Sequence, residues 1–113
     1  MQEEDAVKYI EKNYPQTAKC FKAIQHDQYL LFCKKQKDYG SGNIAMGTQL
    51  ENEDDVKFAI QGLVIRMNDK MNRMLNLIRK QLTPENESLE DAFQDISIYG
   101  IIARIVEERA WGK

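Results

Sequence analysis

The sequence predicts an all-α protein, a small bundle of three to four helices with one long glycine-rich loop. Apolar residues recur three and four positions apart over most of the chain, which is the period of a helix with one buried side. There is no alternating run of four or more β-branched residues, so no convincing strand is predicted. The only prolines are Pro15 and Pro84, and three of the six glycines lie within 40–47, so few breakers interrupt the helical pattern.

Length and composition predict a single domain, 1–113, that binds neither nucleic-acid polymers nor membranes. The chain is 42% hydrophobic and 30% charged, which suits a globular protein with a packed core. A net charge of -2 argues against partners that attract basic proteins. No apolar run could span a bilayer, and the acidic N-terminal segment does not resemble a signal peptide. Since Cys20 and Cys33 have no metal-site spacing, we expect a reducing, cytoplasmic location.

The first half of the chain contains two predicted helices and the loop. A short helix is predicted over 3–13 and is interrupted by Pro15. A second helix is predicted over Thr17–Lys35, where apolar residues follow helical spacing. The segment 36–52 is glycine-rich and polar, and it is predicted to be a loop. Loops of this length in a small domain often carry function.

The clearest element is a central helix, predicted from about Glu53 to Leu82. Its main apolar stripe occupies about 80° of arc at 100° per residue. The stripe consists of Ile60, Val64, Met67, Met71, Met74, Ile78 and Leu82. Other apolar residues flank it on both sides, and a helix that is apolar on more than one side is expected to be buried on more than one side. The helix therefore predicts a homo-oligomer, a dimer or tetramer, that completes the bundle.

The last helix is predicted to begin after Pro84 and to run to about Arg109. Asn86 or Ser88 can cap this helix, and Ser88, with Asp91 three residues later, resembles a capping box with the shorter acid. The face that carries Asp91 and Asp95 becomes apolar one turn later. A fully solvated face would not normally do so, and the acids are therefore candidates for a functional site.

Three cations lie on one sector of the central helix. Arg66, Lys70 and Arg73, with Asp69 beside them, suit a polyanion such as a triphosphate. The alternative is a solvated basic face in which Asp69 pairs with Arg73 four residues on.

Three carboxylates recur every four residues at the start of the last helix. Glu87, Asp91 and Asp95 are therefore neighbours on one face, where carboxylate oxygens can hold Mg²⁺. Such an ion could bridge phosphate oxygens and activate a water. The alternative is an acidic surface that interacts favourably with the helix N-terminus.

A third candidate lies at the start of the predicted loop. Lys37, Asp38, Tyr39 and Gly40 combine an ammonium, a carboxylate, an aromatic ring that can stack on a base, and a flexible hinge. They could clamp a nucleotide, although the same residues also suit an ordinary turn. The glycines that follow do not form a P-loop, because the Gly-Lys-Ser/Thr ending and a preceding strand are missing.

Taken together, these motifs resemble the nucleotide modification associated domain family of small phage and bacterial proteins. The likeness is carried by GLVIRMNDKMNRMLNLI and NESLEDAFQDISIYGIIARI and covers about residues 20–107. The matching positions are Lys37, Asp38, Tyr39 and Gly40, then Arg66, Asp69, Lys70 and Arg73, and then Glu87, Ser88, Asp91, Asp95 and Tyr99. The family is similar to the all-α nucleotide pyrophosphatases of MazG type, which bind Mg²⁺ through helix-borne carboxylates.

The resemblance implies a nucleotide-binding protein, in the host cytoplasm if it is encoded by a phage. Two departures bear on catalysis. Asn86 stands where the family often has Asp, and the central helix lacks the Glu-x-x-Glu pair of the true pyrophosphatases, offering only Asp69. Nucleotide binding is therefore implied more directly than hydrolysis.

Three alternatives for function follow from the resemblance. The first is Mg²⁺-dependent hydrolysis of a nucleoside triphosphate or a related phosphoanhydride in phage nucleotide metabolism, with Asp69 and Asp95 as catalytic residues. Its metal ligands would be Glu87, Asp91 and Asp95, and its substrate-binding residues Lys37, Asp38, Tyr39, Gly40, Arg66, Lys70, Arg73 and Tyr99. The second is a phage protein that binds and sequesters a host signalling nucleotide with no metal. The third is a helical scaffold in a nucleotide-modifying assembly.

Overall fold

The computed structural model describes residues 2–113 and is all-α, as predicted. Five helices follow one another along the chain: α1 (Glu3–Asn13), α2 (Pro15–Tyr39), α3 (Gly42–Ala45), α4 (Glu53–Lys80) and α5 (Leu89–Glu107). Helices make up 78% of the structure, and residues 2–113 include no strand. None of these helices is long and apolar enough to cross a membrane.

The segment 36–52 is more helical than the sequence analysis predicted. The helix α2 continues to Tyr39, and the single turn α3 lies within the predicted loop and brings the number of helices to five. Gly40 ends α2 because its φ of 70° is a left-handed conformation that glycine adopts at little energetic cost. At the other end Pro15 begins α2, since proline already has a helical φ and the first turn needs no N–H from it.

The chain divides into two compact units, one ending at Lys35 and the other spanning Gln36–Lys113. In the first unit, α1 has no buried residue, and Gln28 is the one buried residue of α2. Side chains of both helices, among them Val7, Ile10 and Phe21, line an open apolar groove of about 350 Å³.

The second unit contains the hydrophobic core. It forms where α4 packs against α5 and where α3 packs against α4. Leu63 of α4 and Val106 of α5 are its largest fully buried side chains. Trp111 is also buried, and its indole N–H donates to the carbonyl of Ser41 at 3.0 Å, so the end of the chain packs beside the turn before α3. The buried apolar residues are Ile44, Ala45, Leu50, Val56, Ala59, Leu63, Met74, Ala92, Ile98, Ile102, Val106 and Trp111.

Side-chain caps fix where α4 and α5 begin. The carboxamide oxygen of Asn52 accepts from the backbone N–H of Asp55 at 2.9 Å, and the hydroxyl of Ser88 accepts from the backbone N–H of Asp91 at 3.1 Å. Each bond satisfies a donor that the first helical turn leaves unpaired. Of the two predicted caps, Asn86 and Ser88, Ser88 is confirmed, and it places Glu87 immediately before α5.

The buried side of α4 is rotated from the predicted apolar stripe. Of the predicted residues, only Met74 is buried, while Ile60 and Met67 are half-buried. The residues that α4 buries are Val56, Ala59, Leu63 and Met74. The remaining predicted residues, Val64, Met71, Ile78 and Leu82, are 50–55% exposed. The rotation arises because the half-buried cations Arg66, Lys70 and Arg73 occupy part of the inward side.

Candidate anion-binding site between α4 and α5

Lys70 joins α4 to the start of α5 through two carboxylates. Its ammonium lies 2.5 Å from Oε2 of Glu87 and 3.0 Å from Oδ2 of Asp95. The side chains of Lys70 and Asp95 are 18% and 16% exposed, so water screens this pair less than it screens a surface ion pair. One cation of the central helix and two acids from the start of the last helix therefore lie together.

The surroundings of Lys70 favour its charged form. Burial alone would lower the pKa of this ammonium, but its hydrogen bonds to Glu87 and Asp95 and the charges of both carboxylates outweigh burial. They raise the pKa above its ordinary value of 10.5. Lys70 is therefore positively charged at neutral pH and available to hold both acids.

We expect the stabilisation from Lys70 to be lost only at strongly alkaline pH. Because its folded pKa lies above its unfolded pKa, the stabilisation is fully present below the unfolded value and declines as the pH rises through the folded value. Urea unfolding of the wild type and of Lys70→Met should differ by a constant free energy from pH 7 to about pH 9, and the difference should shrink above about pH 10.5. A difference that shrinks below pH 9 would contradict the raised pKa.

Arg73 is held by a backbone group and not by an acid. Its Nη2 donates to the carbonyl oxygen of Glu87, while Nη1 is buried and has no hydrogen-bond partner within residues 2–113. A buried donor without a partner is unfavourable and marks a place where a ligand acceptor would be stabilising.

Arg66 has a similar arrangement two helical turns earlier. Its Nη2 donates to the carbonyl oxygen of Asn43 in α3 at 3.0 Å. Across the described part of the chain, neither Arg66 nor Arg73 forms an ion pair with a carboxylate. Both guanidinium groups therefore keep an unneutralised positive charge in a half-buried position.

Two residues that the sequence analysis did not select connect the end of α2 to Arg66. The Gln36 amide nitrogen donates to the side-chain oxygen of Asn43 at 2.9 Å and also to the carbonyl of Gly40. Asn43 in turn receives Arg66 at its backbone carbonyl. In the sequence, Gln36 and Asn43 are only two amide residues on either side of the glycine that ends α2. This pattern is too common to identify a site.

The other predicted site residues lie outside these contacts. Lys37, Asp38 and Tyr39 form the exposed last turn of α2, with Tyr39 65% exposed. Asp69 and Asp91 are exposed, and neither forms an ion pair with any cation in residues 2–113. The remaining residue, Tyr99 on α5, is half-buried.

The acids do not fit a Mg²⁺ site in their present arrangement. An ion bound by Glu87 and Asp95 would have to displace the Lys70 ammonium, and Asp91 does not join these two carboxylates. Nowhere in residues 2–113 do three or more His, Cys, Asp or Glu side chains form a group that could hold a metal ion. The predicted magnesium ligands therefore stay a prediction that these contacts do not support.

Comparison with known proteins adds no family or fold assignment. No family model, no curated protein and no solved structure matches the chain. The contacts of Arg66, Lys70 and Arg73 are therefore the main basis for a functional proposal.

Proposed function

We propose that this protein binds a nucleotide without metal and holds its phosphate groups with Arg66 and Arg73. One observation carries the proposal: both guanidinium groups are half-buried, each is anchored by a backbone carbonyl, and no carboxylate of residues 2–113 neutralises either. A guanidinium held in this way still has donors that can bind phosphate oxygens in a bidentate manner.

The spacing of the two arginines suits a ligand with more than one phosphate group. Arg66 and Arg73 are seven residues apart, which separates their backbones by about 10.5 Å along the helix axis. Their side chains have separate anchors, one at α3 and one before α5. A polyphosphate chain, or a nucleotide with two separated phosphates, could contact both, whereas inorganic phosphate would contact one.

The contacts of Lys70 favour binding over hydrolysis. Glu87 and Asp95 are both bonded to its ammonium, so they hold α4 and α5 in place and leave the arginines as the cations for a ligand. Hydrolysis with Mg²⁺ would require the same acids to release Lys70. Sequestration of a nucleotide, one of the three alternatives from the sequence, therefore has the stronger structural support. The homo-oligomer and the cytoplasmic location stay part of the proposal.

Thermal unfolding with a nucleotide library tests this function. The library should include nucleoside mono-, di- and triphosphates and cyclic dinucleotides, each measured with EDTA and with Mg²⁺. A ligand at a hundred times its Kd stabilises the folded state by about 2.7 kcal/mol, which should raise Tm by about 10 °C in a chain of this size. We expect such a rise in EDTA, and no rise with the matching nucleosides, which lack phosphate.

Chromatography of the same samples distinguishes the alternatives. Intact nucleotide in both EDTA and Mg²⁺ agrees with sequestration. A Tm rise that needs Mg²⁺, together with release of pyrophosphate or phosphate, would establish the hydrolase and contradict the proposal. No rise with any nucleotide would favour the scaffold.

A further inference from the structure

The single turn α3 cannot keep its position through its own backbone bonds. It has four residues, and an isolated helical turn of this length is not stable in water. Ser41, which precedes α3, makes no side-chain cap, and Met46, which follows it, has a left-handed φ of 50° that residues other than glycine seldom adopt. Since the carbonyl of Asn43 in α3 accepts the bond that anchors Arg66, the position of this carbonyl depends on other parts of the chain.

Trp111 holds the turn before α3 from the C-terminal end of the chain. Its indole N–H donates to the carbonyl of Ser41 at 3.0 Å. The indole is buried, so water competes weakly for this bond. The next residue, Gly112, has a φ of 76°, and a Cβ at this position would lie 3.0 Å from Cβ of Ser41. The C-terminal segment therefore lies in close contact with the residue that begins the turn.

Gln36 holds α3 from the end of α2. Its half-buried amide nitrogen donates to the side-chain oxygen of Asn43 at 2.9 Å and also to the carbonyl of Gly40. Bonds from Gln36 and Trp111 therefore reach three of the residues 40–43, the stretch that ends with the acceptor of Arg66.

We propose that Trp111 and Gln36 are positioning residues for Arg66, on which they act by holding the carbonyl of Asn43 in place. The binding of phosphate by Arg66 rests on the proposed function, whereas the orientation of its guanidinium does not. Arg73 provides an internal comparison, because its acceptor belongs to Glu87 and not to α3. Loss of either positioning residue should affect Arg66 and leave Arg73 unchanged.

Rotation of the arginine guanidinium groups, measured by ¹⁵N NMR without ligand, tests the inference. A charge-assisted hydrogen bond must break before a held guanidinium can rotate, so a held group rotates slowly. Trp111→Phe keeps an aromatic ring but removes the N–H donor, and Gln36→Met keeps an unbranched side chain but removes the amide. We expect each variant to speed the rotation of Arg66 about fivefold, the factor that corresponds to one lost hydrogen bond, and to leave Arg73 as in wild type.

Gln25→Met is the matched control for this measurement. It removes an exposed amide elsewhere on α2 and should change the rotation of neither arginine. Unchanged rotation of Arg66 in either positioning variant would overturn the inference. Equal acceleration of Arg66 and Arg73 would also overturn it, because it would show a general loosening of the fold. If circular dichroism shows that Trp111→Phe does not fold, Gln36→Met decides the result.

Binding of inorganic tripolyphosphate in EDTA, measured by calorimetry, tests whether the positioning matters for the ligand. Trp111→Phe should raise Kd about fivefold in wild type and in Arg73→Ala, but less than twofold in Arg66→Ala. An equal rise in all three backgrounds would contradict action through Arg66. If wild type binds neither tripolyphosphate nor any nucleotide, the proposed function fails, and the rotation of Arg66 still decides the positioning.

Discussion

Replacing Lys70 by Met should destabilise the fold by about 2 kcal/mol. This is the largest effect on stability that we expect from a single substitution at these contacts. The change removes the ammonium that holds Glu87 and Asp95, and Asp95 is only 16% exposed. Two negative groups that lie within 3.0 Å of the same nitrogen would then be left at the start of α5 without the cation that α4 supplies. Urea unfolding at pH 7 should show the loss, with a fall in Tm of about 10 °C.

A double variant distinguishes the contribution of the ion pair to stability from that of side-chain packing. Methionine keeps most of the apolar stem of Lys70, so Lys70→Met mainly removes charge. Adding Asp95→Asn removes one of the two remaining acids, and we expect it to recover about half of the lost free energy. If Asp95→Asn destabilises wild type and Lys70→Met equally, the two residues do not interact, and the role given to Lys70 is wrong.

Replacing Arg73 by Ala should weaken nucleotide binding about 30-fold, the largest effect expected on binding. The variant removes a half-buried guanidinium whose Nη1 has no hydrogen-bond partner within residues 2–113. A charge-assisted bond to phosphate contributes about 2 kcal/mol, which corresponds to that factor in Kd. Isothermal titration calorimetry below the Tm of the variant measures Kd directly.

Two matched variants control for charge and for shape. Arg79→Ala removes an exposed cation from the last turn of the same helix and should change Kd less than twofold. Arg73→Lys keeps the positive charge but loses the planar fork, and we expect about a tenfold weakening. Equal losses for Arg73→Ala and Arg79→Ala would show that only the overall charge of α4 matters.

The helices could be predicted from the sequence, but the orientation of α4 could not. Spacing and breakers predicted an all-α chain, and a cap at Ser88 is present. The apolar stripe of α4, however, does not coincide with its buried side. An apolar pattern locates the core only when charged residues stay outside, and here Lys70 is held on the inward side by Glu87 and Asp95. The sequence of α4 contains both the cations of an ionic contact and an apolar stripe, so its pattern alone does not show which side is buried.

The part of the candidate site that consists of contacts between side chains could be predicted from the sequence. Lys70 and Asp95 lie on two helices that pack together, and Glu87 lies just before the second of them, so the meeting of these charges could be inferred from the sequence. Contacts to backbone carbonyls leave no such pattern, because every residue has a carbonyl. The acceptors for Arg66 and Arg73, at Asn43 and Glu87, therefore became visible only in three dimensions.

The position of Trp111 provides an intrinsic fluorescent probe. The chain contains a single tryptophan, so indole fluorescence comes from one place. That indole is buried and bonded to Ser41, two residues before the carbonyl that receives Arg66. The wavelength and intensity of its emission respond to the polarity and hydrogen bonding around the indole. Occupancy near Arg66 can thus be followed in real time without attaching a dye, at concentrations far below those that calorimetry needs.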